Sequence, residues 1–459
     1  MDDLPGALAA RIEDLAERHH VPGVAAGIDL AGERVVACHG ITHVSHPLPV
    51  DERTLFQIAS NSKPFVATLV LGLVEEGRLG LDDPVRKHLP EFRMPESRYD
   101  DAVTVRHLLT HRVGWDGDHL FVRQPQPDTL DAIFEPMARA RQLVPPGGHW
   151  TYSNAAFSVA GRLVEVLTGQ PFALALRERL VSPLGMLRTF TKADEAIFHR
   201  VAMRHLSVPG REPIPLPGGG WQAGWELVPF DVPPGGLISC VEDLLIWLRF
   251  WLGRPESTPQ ASPLGDALRR QALEPQLPPY NPRQGQAIGW EIRQDPAGPV
   301  LGHGGLTAGY CSYTLFAPEL DLAAVVLTNS TTGYRVHTEL THWLVGELGG
   351  TPWSDVVPLD PQPALERYTG AYWGSFGTTH VRATEEGDLE LETRRHPTED
   401  GIWQPPAEPP LRARLHAPDG AVVTDPEASR GTLVSFDPDA GEGQSPAWLR
   451  AGGRISVRI

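Results

Sequence analysis

Ser60 and Lys63 stand three residues apart in the stretch Phe56-Gln57-Ile58-Ala59-Ser60-Asn61-Ser62-Lys63-Pro64, where an apolar segment gives way to a helical pattern running to about Gly77. Residues three apart on a helix share a face, so their side chains can meet. A hydroxyl beside an amine that is held neutral, or that shuttles protons, is a minimal activated nucleophile. Lysine is scarce in this chain: Lys63, Lys87 and Lys192 are the only ones among 40 basic residues. Arginine keeps its proton in a protein, whereas a buried lysine titrates readily. Chance placement by composition would give roughly 0.1 Ser-x-x-Lys pairs.

Two later stretches can complete a site around this pair. Tyr152-Ser153-Asn154 opens a helical pattern after Pro145-Pro146-Gly147-Gly148. A tyrosine hydroxyl near a lysine can relay a proton, and an asparagine can hold a substrate amide through two different groups. A packed tyrosine with Asn154 merely capping the helix is the plainer reading of this stretch by itself. His303-Gly304-Gly305 follows a strand expected to end at Val300-Leu301. Glycines let a backbone approach a ligand closely, and a strand edge offers N–H groups as oxyanion donors. About 1.8 His-x-Gly triplets are expected by chance, so this stretch is weak alone.

The elements that must position these groups follow from periodicity and turn chemistry. Residues 5–19 read as an amphipathic helix, and 24–29 with 34–40 as a hairpin turning at Ala31-Gly32-Glu33. Residues 64–76, 104–110, 129–143 and 153–168 are helix candidates, with Gly77 and Gly169 as C-caps. Ser239-Cys240-Val241-Glu242 reads as a capping box for a helix to about Gly253. Strand signals at 289–294, 309–316 and 322–328 precede a helix over 335–348. This order predicts an α+β fold: an antiparallel sheet flanked by helices with a helical subdomain. Residues 205–236 dissolve into Pro and Gly with Trp221, Trp225 and Phe230 interleaved, a long loop of the kind that lines or covers a site. Residues 257–286 are similarly loop-rich and could form a second gate. Proline-rich 351–363 reads as a linker. Beyond it, alternation at 378–383, 389–393, 412–415, 432–436 and 454–459 predicts a small all-β domain, barrel or sandwich.

Composition sets the bounds. At 459 residues, with 41% hydrophobic and 21% charged residues, the chain is an ordinary globular protein large enough for two domains. A net charge of −17 argues against nucleic acid and against anionic membranes as partners. The acidic start carries no signal-peptide pattern and no apolar run is long enough to span a bilayer, so a cytoplasmic location is expected. Cys38, Cys240 and Cys311, odd in number and far apart, fit free thiols.

Taken in order, Ser-x-x-Lys, Tyr-x-Asn and His-x-Gly resemble the motifs of the serine β-lactamase and penicillin-binding-protein superfamily. The likeness is strongest to the branch holding class C β-lactamases, DD-peptidases, D-aminopeptidases and related esterases. Flanking residues agree: Leu108-Leu109-Thr110-His111 with Gly114, Pro146-Gly147, Gly235-Gly236-Leu237 with Ser239, and Gly289-Trp290. The similarity runs from about Val21 to Leu348. It implies that residues 1–355 form a serine-hydrolase domain, with 364–459 as the added β domain. It further implies that Ser60 forms an acyl-enzyme and that Lys63 or Tyr152 is the base. Asn154 would orient the substrate or the lysine. The N–H groups of Ser60 and Leu306 would form an oxyanion hole beside Gly305. No cofactor is implied, and the partner would be a small ester, amide or peptide substrate. His303 departs from the Lys-Thr-Gly or Lys-Ser-Gly form usual in antibiotic-hydrolysing members. A neutral residue there weakens selection for an anionic substrate, and favours a small ester or a D-amino-acid peptide or amide over β-lactamase or DD-carboxypeptidase activity.

Two readings from other classes compete. His107 and His111 have zinc-ligand spacing, but the adjacent glutamate and an evident third ligand are missing, so no metal is expected. A catalytically silent scaffold is the other. It has to explain why every motif position carries a competent residue.

Overall fold

A computed structural model describes residues 3–118, 129–208, 211–216, 227, 229–254, 262–279, 281, 284–295, 298–307, 309–347, 356–396, 409–426, 429–441 and 443–459. Helix α1 (Leu4–Arg18) leads into strands β1 (Gly23–Leu30) and β2 (Glu33–Gly40). Four helices follow that matter to the site or the packing: α2 (Ser62–Glu75), α3 (Asn154–Thr168), α4 (Val241–Trp251) and α5 (Gly333–Glu347). Strands β3 (Gln284–Gln286), β4 (Glu291–Asp295), β5 (Gly298–Thr307), β6 (Tyr310–Ala317) and β7 (Leu322–Thr328) lie between α4 and α5. With the first hairpin they form one antiparallel sheet in the order β2-β1-β7-β6-β5-β4-β3.

Strand β7 explains the layering. Its alternate residues Ala323, Val325 and Leu327 join the core around α2, α3 and α4. Leu322, Ala324 and Val326 join a second core beneath α1 and α5. A strand covered on both faces reads as a continuous apolar run, which is why this segment was legible. Fully burying one such side chain contributes about 1.5–3 kcal/mol.

The tail forms a closed eight-stranded barrel from β8 (Gly370–Gly374) and β9 (Gly377–Ala383) to the last pair, β10 (Trp448–Ala451) and β11 (Arg454–Arg458), with strands 389–395, 411–417, 420–425 and 433–436 between. Inward residues Val381, Leu389, Leu391, Leu415, Val423, Phe436 and Leu449 fill it. Closure leaves no unpaired edge.

Several expectations need correction. The helix expected over 129–143 is only a 3-10 turn (Leu130–Ile133) and a single helical turn (Phe134–Met137). Beyond it the chain is extended by pairing: the Asp116 N–H donates to the Arg141 carbonyl and the Leu143 N–H to the Gly114 carbonyl. Ser239 does not cap α4. It lies in a two-residue strand against Phe56 and bonds the Thr189 hydroxyl, and Cys240 is the N-cap residue. His303-Gly304-Gly305 lies inside β5 rather than after a strand. The all-β tail has three strands, 370–374, 420–425 and 448–451, that alternation did not reveal. Trp221, Trp225 and most of 404–410 fall outside the described residues, whereas Phe230 is buried in the core. The three cysteines are free. Among the described residues no helix is long and apolar enough to cross a membrane.

Candidate active site

Ser60 sits in a 3-10 turn (Ala59–Asn61) that runs directly into α2. The turn is held from all sides. Ala59 takes φ +49°, the left-handed region that costs a non-glycine residue about 1–3 kcal/mol and persists only where surroundings over-determine it. Those surroundings are polar and buried. The Asn61 amide donates to Ser312 Oγ (2.8 Å) and accepts from Thr314 Oγ1 (2.5 Å). Ser312 donates to the Ile58 carbonyl (2.7 Å), and Ser62 donates to the Ala59 carbonyl (2.6 Å) while accepting the Leu237 N–H (3.1 Å).

Three elements deliver the other groups. Lys63, the second residue of α2, is wholly buried. Its Nζ lies 2.9 Å from Ser60 Oγ, 2.6 Å from Asn154 Oδ1 and 2.7 Å from the Pro234 carbonyl. Burial drives its amine far below the ordinary lysine range, opposed by the Asp118 charge and aided by Arg454. A neutral amine suits these three contacts: it donates to Asn154 and Pro234 and takes the serine proton on its lone pair.

Tyr152 precedes α3, and its hydroxyl faces Ser60, which opposes the effect of burial on the phenol. Burial pushes the phenol well above its ordinary value, so it holds its proton. Its ring stacks on His111 at 4.3 Å. His111 Nδ1 accepts the Ser153 N–H (3.0 Å), while His107 Nδ1 accepts the Thr104 N–H in a helix capping box. Both histidines, spaced like metal ligands, thus order backbone. Ser153 caps α3 by accepting the Ala156 N–H, leaving Asn154 free to face the lysine.

The third stretch arrives on β5. Pairing with β4 ends at Gly302, while pairing with β6 continues to Thr307, which leaves residues 303–307 with one edge toward the Ser60 turn. A Cβ on Gly305 would lie 2.2 Å from the Ile58 carbonyl and 2.3 Å from Ser312 Oγ, so only glycine lets the strand come this close. The Leu306 side chain points outward and is exposed. His303 is buried. Burial, then Lys63, depresses its imidazole to about 3, and its Nδ1–H donates to the Gly304 carbonyl (2.7 Å). It is a neutral ring with Nε2 as acceptor.

Two charged residues, which sequence reasoning missed, complete the centre. Asp118 accepts the Asn154 Nδ2–H (2.6 Å) and pairs with Arg454, which comes from the barrel's last hairpin. The Arg454 guanidinium lies 4.8 Å over the Tyr152 ring and 5.1 Å over Phe376. Nothing in the spacing of residues 118, 154 and 454 links them; the Gly452-Gly453 turn beside Arg454 was the only local signal. The Pro234 carbonyl was equally silent, although its Gly235-Gly236 flank was read.

A serine, a buried amine, a phenol and an open strand edge thus meet at one place beside the antiparallel sheet. A family model described as Beta-lactamase matches residues 8–346, and the chain belongs to that family. It is 32% identical over 360 residues to Penicillin-binding protein 4 of Amycolatopsis lactamdurans, covering 77% of this chain and 93% of that one. SurE, solved with D-Leu, is similar over 100% of both chains at TM-score 0.77 and 23% identity. A class C beta lactamase from Rhodobacter sphaeroides matches 74% of this chain and 99% of its own at TM-score 0.59 and 24% identity. Both structures share the fold, and the first shares it over the barrel as well.

Proposed function

We propose that the protein is a serine hydrolase that acylates Ser60 with a small ester or a D-amino-acid peptide or amide and releases the acyl group to water. The observation that carries this reading is Lys63 Nζ, buried and 2.9 Å from Ser60 Oγ. Lys63 takes the hydroxyl proton as Ser60 Oγ bonds to the carbonyl carbon. The oxyanion is received by the Ser60 and Leu306 N–H groups. Tyr152 donates its proton to the departing oxygen or nitrogen and regains one from the Lys63 ammonium, so both side chains return to their resting forms. Water then attacks the acyl-enzyme and Ser60 recovers its proton.

The substrate class rests on His303. A neutral acceptor where antibiotic-hydrolysing relatives carry an ammonium suits a substrate N–H rather than a carboxylate. The D-Leu in the SurE structure supports a D-amino-acid residue in the substrate. Intact-mass measurement after a fluorophosphonate tests the nucleophile: the Ser60 oxygen displaces fluoride, adding one phosphonyl group to the wild type and none to Ser60→Ala. A wild type left unmodified by several such probes would favour a catalytically silent scaffold. A panel of p-nitrophenyl esters, D-amino-acid amides and nitrocefin tests the class. Nitrocefin turnover matching the best ester would overturn the reading from His303.

A further inference from the structure

We propose that Arg454, delivered by the C-terminal barrel, is a positioning residue for the acylation step: by saturating Asp118 it fixes the Asn154 amide and withholds the Asp118 charge from Lys63. This rests on the nucleophile reading above.

The geometry is a chain of four side chains. Asn154 Oδ1 faces Lys63 Nζ at 2.6 Å and its Nδ2 faces Asp118 Oδ1 at 2.6 Å. Flipping the amide would set its NH2 against the lysine and its oxygen against a carboxylate, so Asp118 determines which way Asn154 points. Arg454 holds Asp118 in turn through two nitrogens, Nε to Oδ2 and Nη2 to Oδ1 (3.4 Å), the fork geometry of a strong pair.

The barrel places Arg454 firmly. Gly452 and Gly453 both take positive φ in the β10–β11 turn, as a two-residue hairpin requires. The Gly453 carbonyl accepts the Tyr152 N–H (2.9 Å) and the Ile455 N–H donates to Thr151 Oγ1 (3.1 Å). The turn is therefore bonded to the residues that carry Tyr152 and Asn154, and Arg454 lies between the rings of Tyr152 and Phe376.

Electrostatics give the arrangement its purpose. The charged groups acting on Lys63 are Asp118, Arg454, Asp231 and Glu291, with the neutral rings of His111, His303 and Tyr152 also facing the site. Asp231 and Glu291 are both pushed up by burial toward their uncharged forms. Asp118 is the strongest influence holding a proton on Lys63, and Arg454 is the strongest charge opposing it. Without Arg454, an unbalanced Asp118 would shift the lysine toward its protonated form, against the burial that depresses it, and so weaken it as a base.

The test is the pH dependence of Ser60 phosphonylation by a fluorophosphonate, followed by intact mass in the full chain. Arg454→Gln is expected to move the acid limb to higher pH, with about tenfold slower labelling below the limb per unit of displacement. Asp118→Asn is expected to move the limb the opposite way, and the double variant to return it toward wild type. Arg454→Lys, keeping the charge without the fork, should fall between. A purely structural role would not be reversed by the second substitution. A limb that stays put in Arg454→Gln and Asp118→Asn, or a double variant displaced as far as Arg454→Gln, overturns the proposal. A wild type that is never labelled overturns the nucleophile reading, and this inference with it.

Discussion

Gly305 stands directly behind Ile58, close enough that a Cβ on the glycine would overlap the Ile58 carbonyl at 2.2 Å. This contact joins the third motif to the first, because Ile58 and Ala59 form the turn that raises Ser60. Gly305→Ala must push that turn away, at a cost of about 1–3 kcal/mol from overpacking. We expect a lower Tm and a fall of at least about 100-fold in fluorophosphonate labelling. Gly304→Ala is the control. Its Cβ would meet Tyr313 at an ordinary 3.6 Å, and near-wild-type labelling is expected. Equal losses in both variants would refute the close-approach argument.

Lys63→Met keeps an apolar side chain of similar length and removes the amine. Loss of the proton acceptor should slow acylation by about 100- to 10,000-fold. Stability carries a second signature. Between the depressed folded value of Lys63 and the free lysine value near 10.4, the unfolded chain binds a proton that the native protein does not. Wild-type stability therefore rises with pH across this window. Melting curves from pH 7 to 9.5 should show wild-type Tm gaining on that of the variant. Parallel curves would mean that the lysine stays charged in the fold.

Tyr152→Phe preserves the ring stacked on His111 and beneath Arg454 while deleting the hydroxyl. If the phenol donates to the leaving group, kcat falls by about 100-fold or more while KM changes little, most for substrates with poor leaving groups. A p-nitrophenyl ester, whose leaving group needs little protonation, should suffer least. Uniform loss across leaving groups would assign Tyr152 a packing role.

Asn61→Ala strips the buried amide that ties the nucleophile turn to Ser312 and Thr314. Two partners lose their bonds in a dry site, at about 1–3 kcal/mol each. Calorimetry should show a clear drop in Tm, and labelling of Ser60 should slow although Asn61 does not touch the reacting atoms. An unchanged rate would show that Ala59 is held in its left-handed conformation by packing alone.

Much of the fold was legible because its signals are local. The buried strand 322–328, the helix closed by Gly169 and the first hairpin each announce themselves within a dozen residues. The helix expected over 129–143 failed for the opposite reason: bonds from Trp115 and Gly114, distant in sequence, draw residues 141–144 into an extended run. The capping box at Ser239 failed likewise, its hydroxyl drawn to Thr189 by a strand pairing that no window contains.

The same division runs through the site. Ser60, Lys63, Tyr152 and Asn154 could be picked out from residue type and spacing, because each pairs a chemical requirement with a short, rare pattern, and the commoner His303-Gly304-Gly305 run gained weight only from its order after them. What the sequence could not contain is the state of those groups. Burial drives the Lys63 amine far below its ordinary range and raises the Tyr152 phenol above its own. Asn154 donates to Asp118, which Arg454, 336 residues away in sequence, holds from the barrel's last hairpin. Residue chemistry is written along the chain; protonation and orientation depend on dielectric and neighbours, and those exist only once the chain has folded.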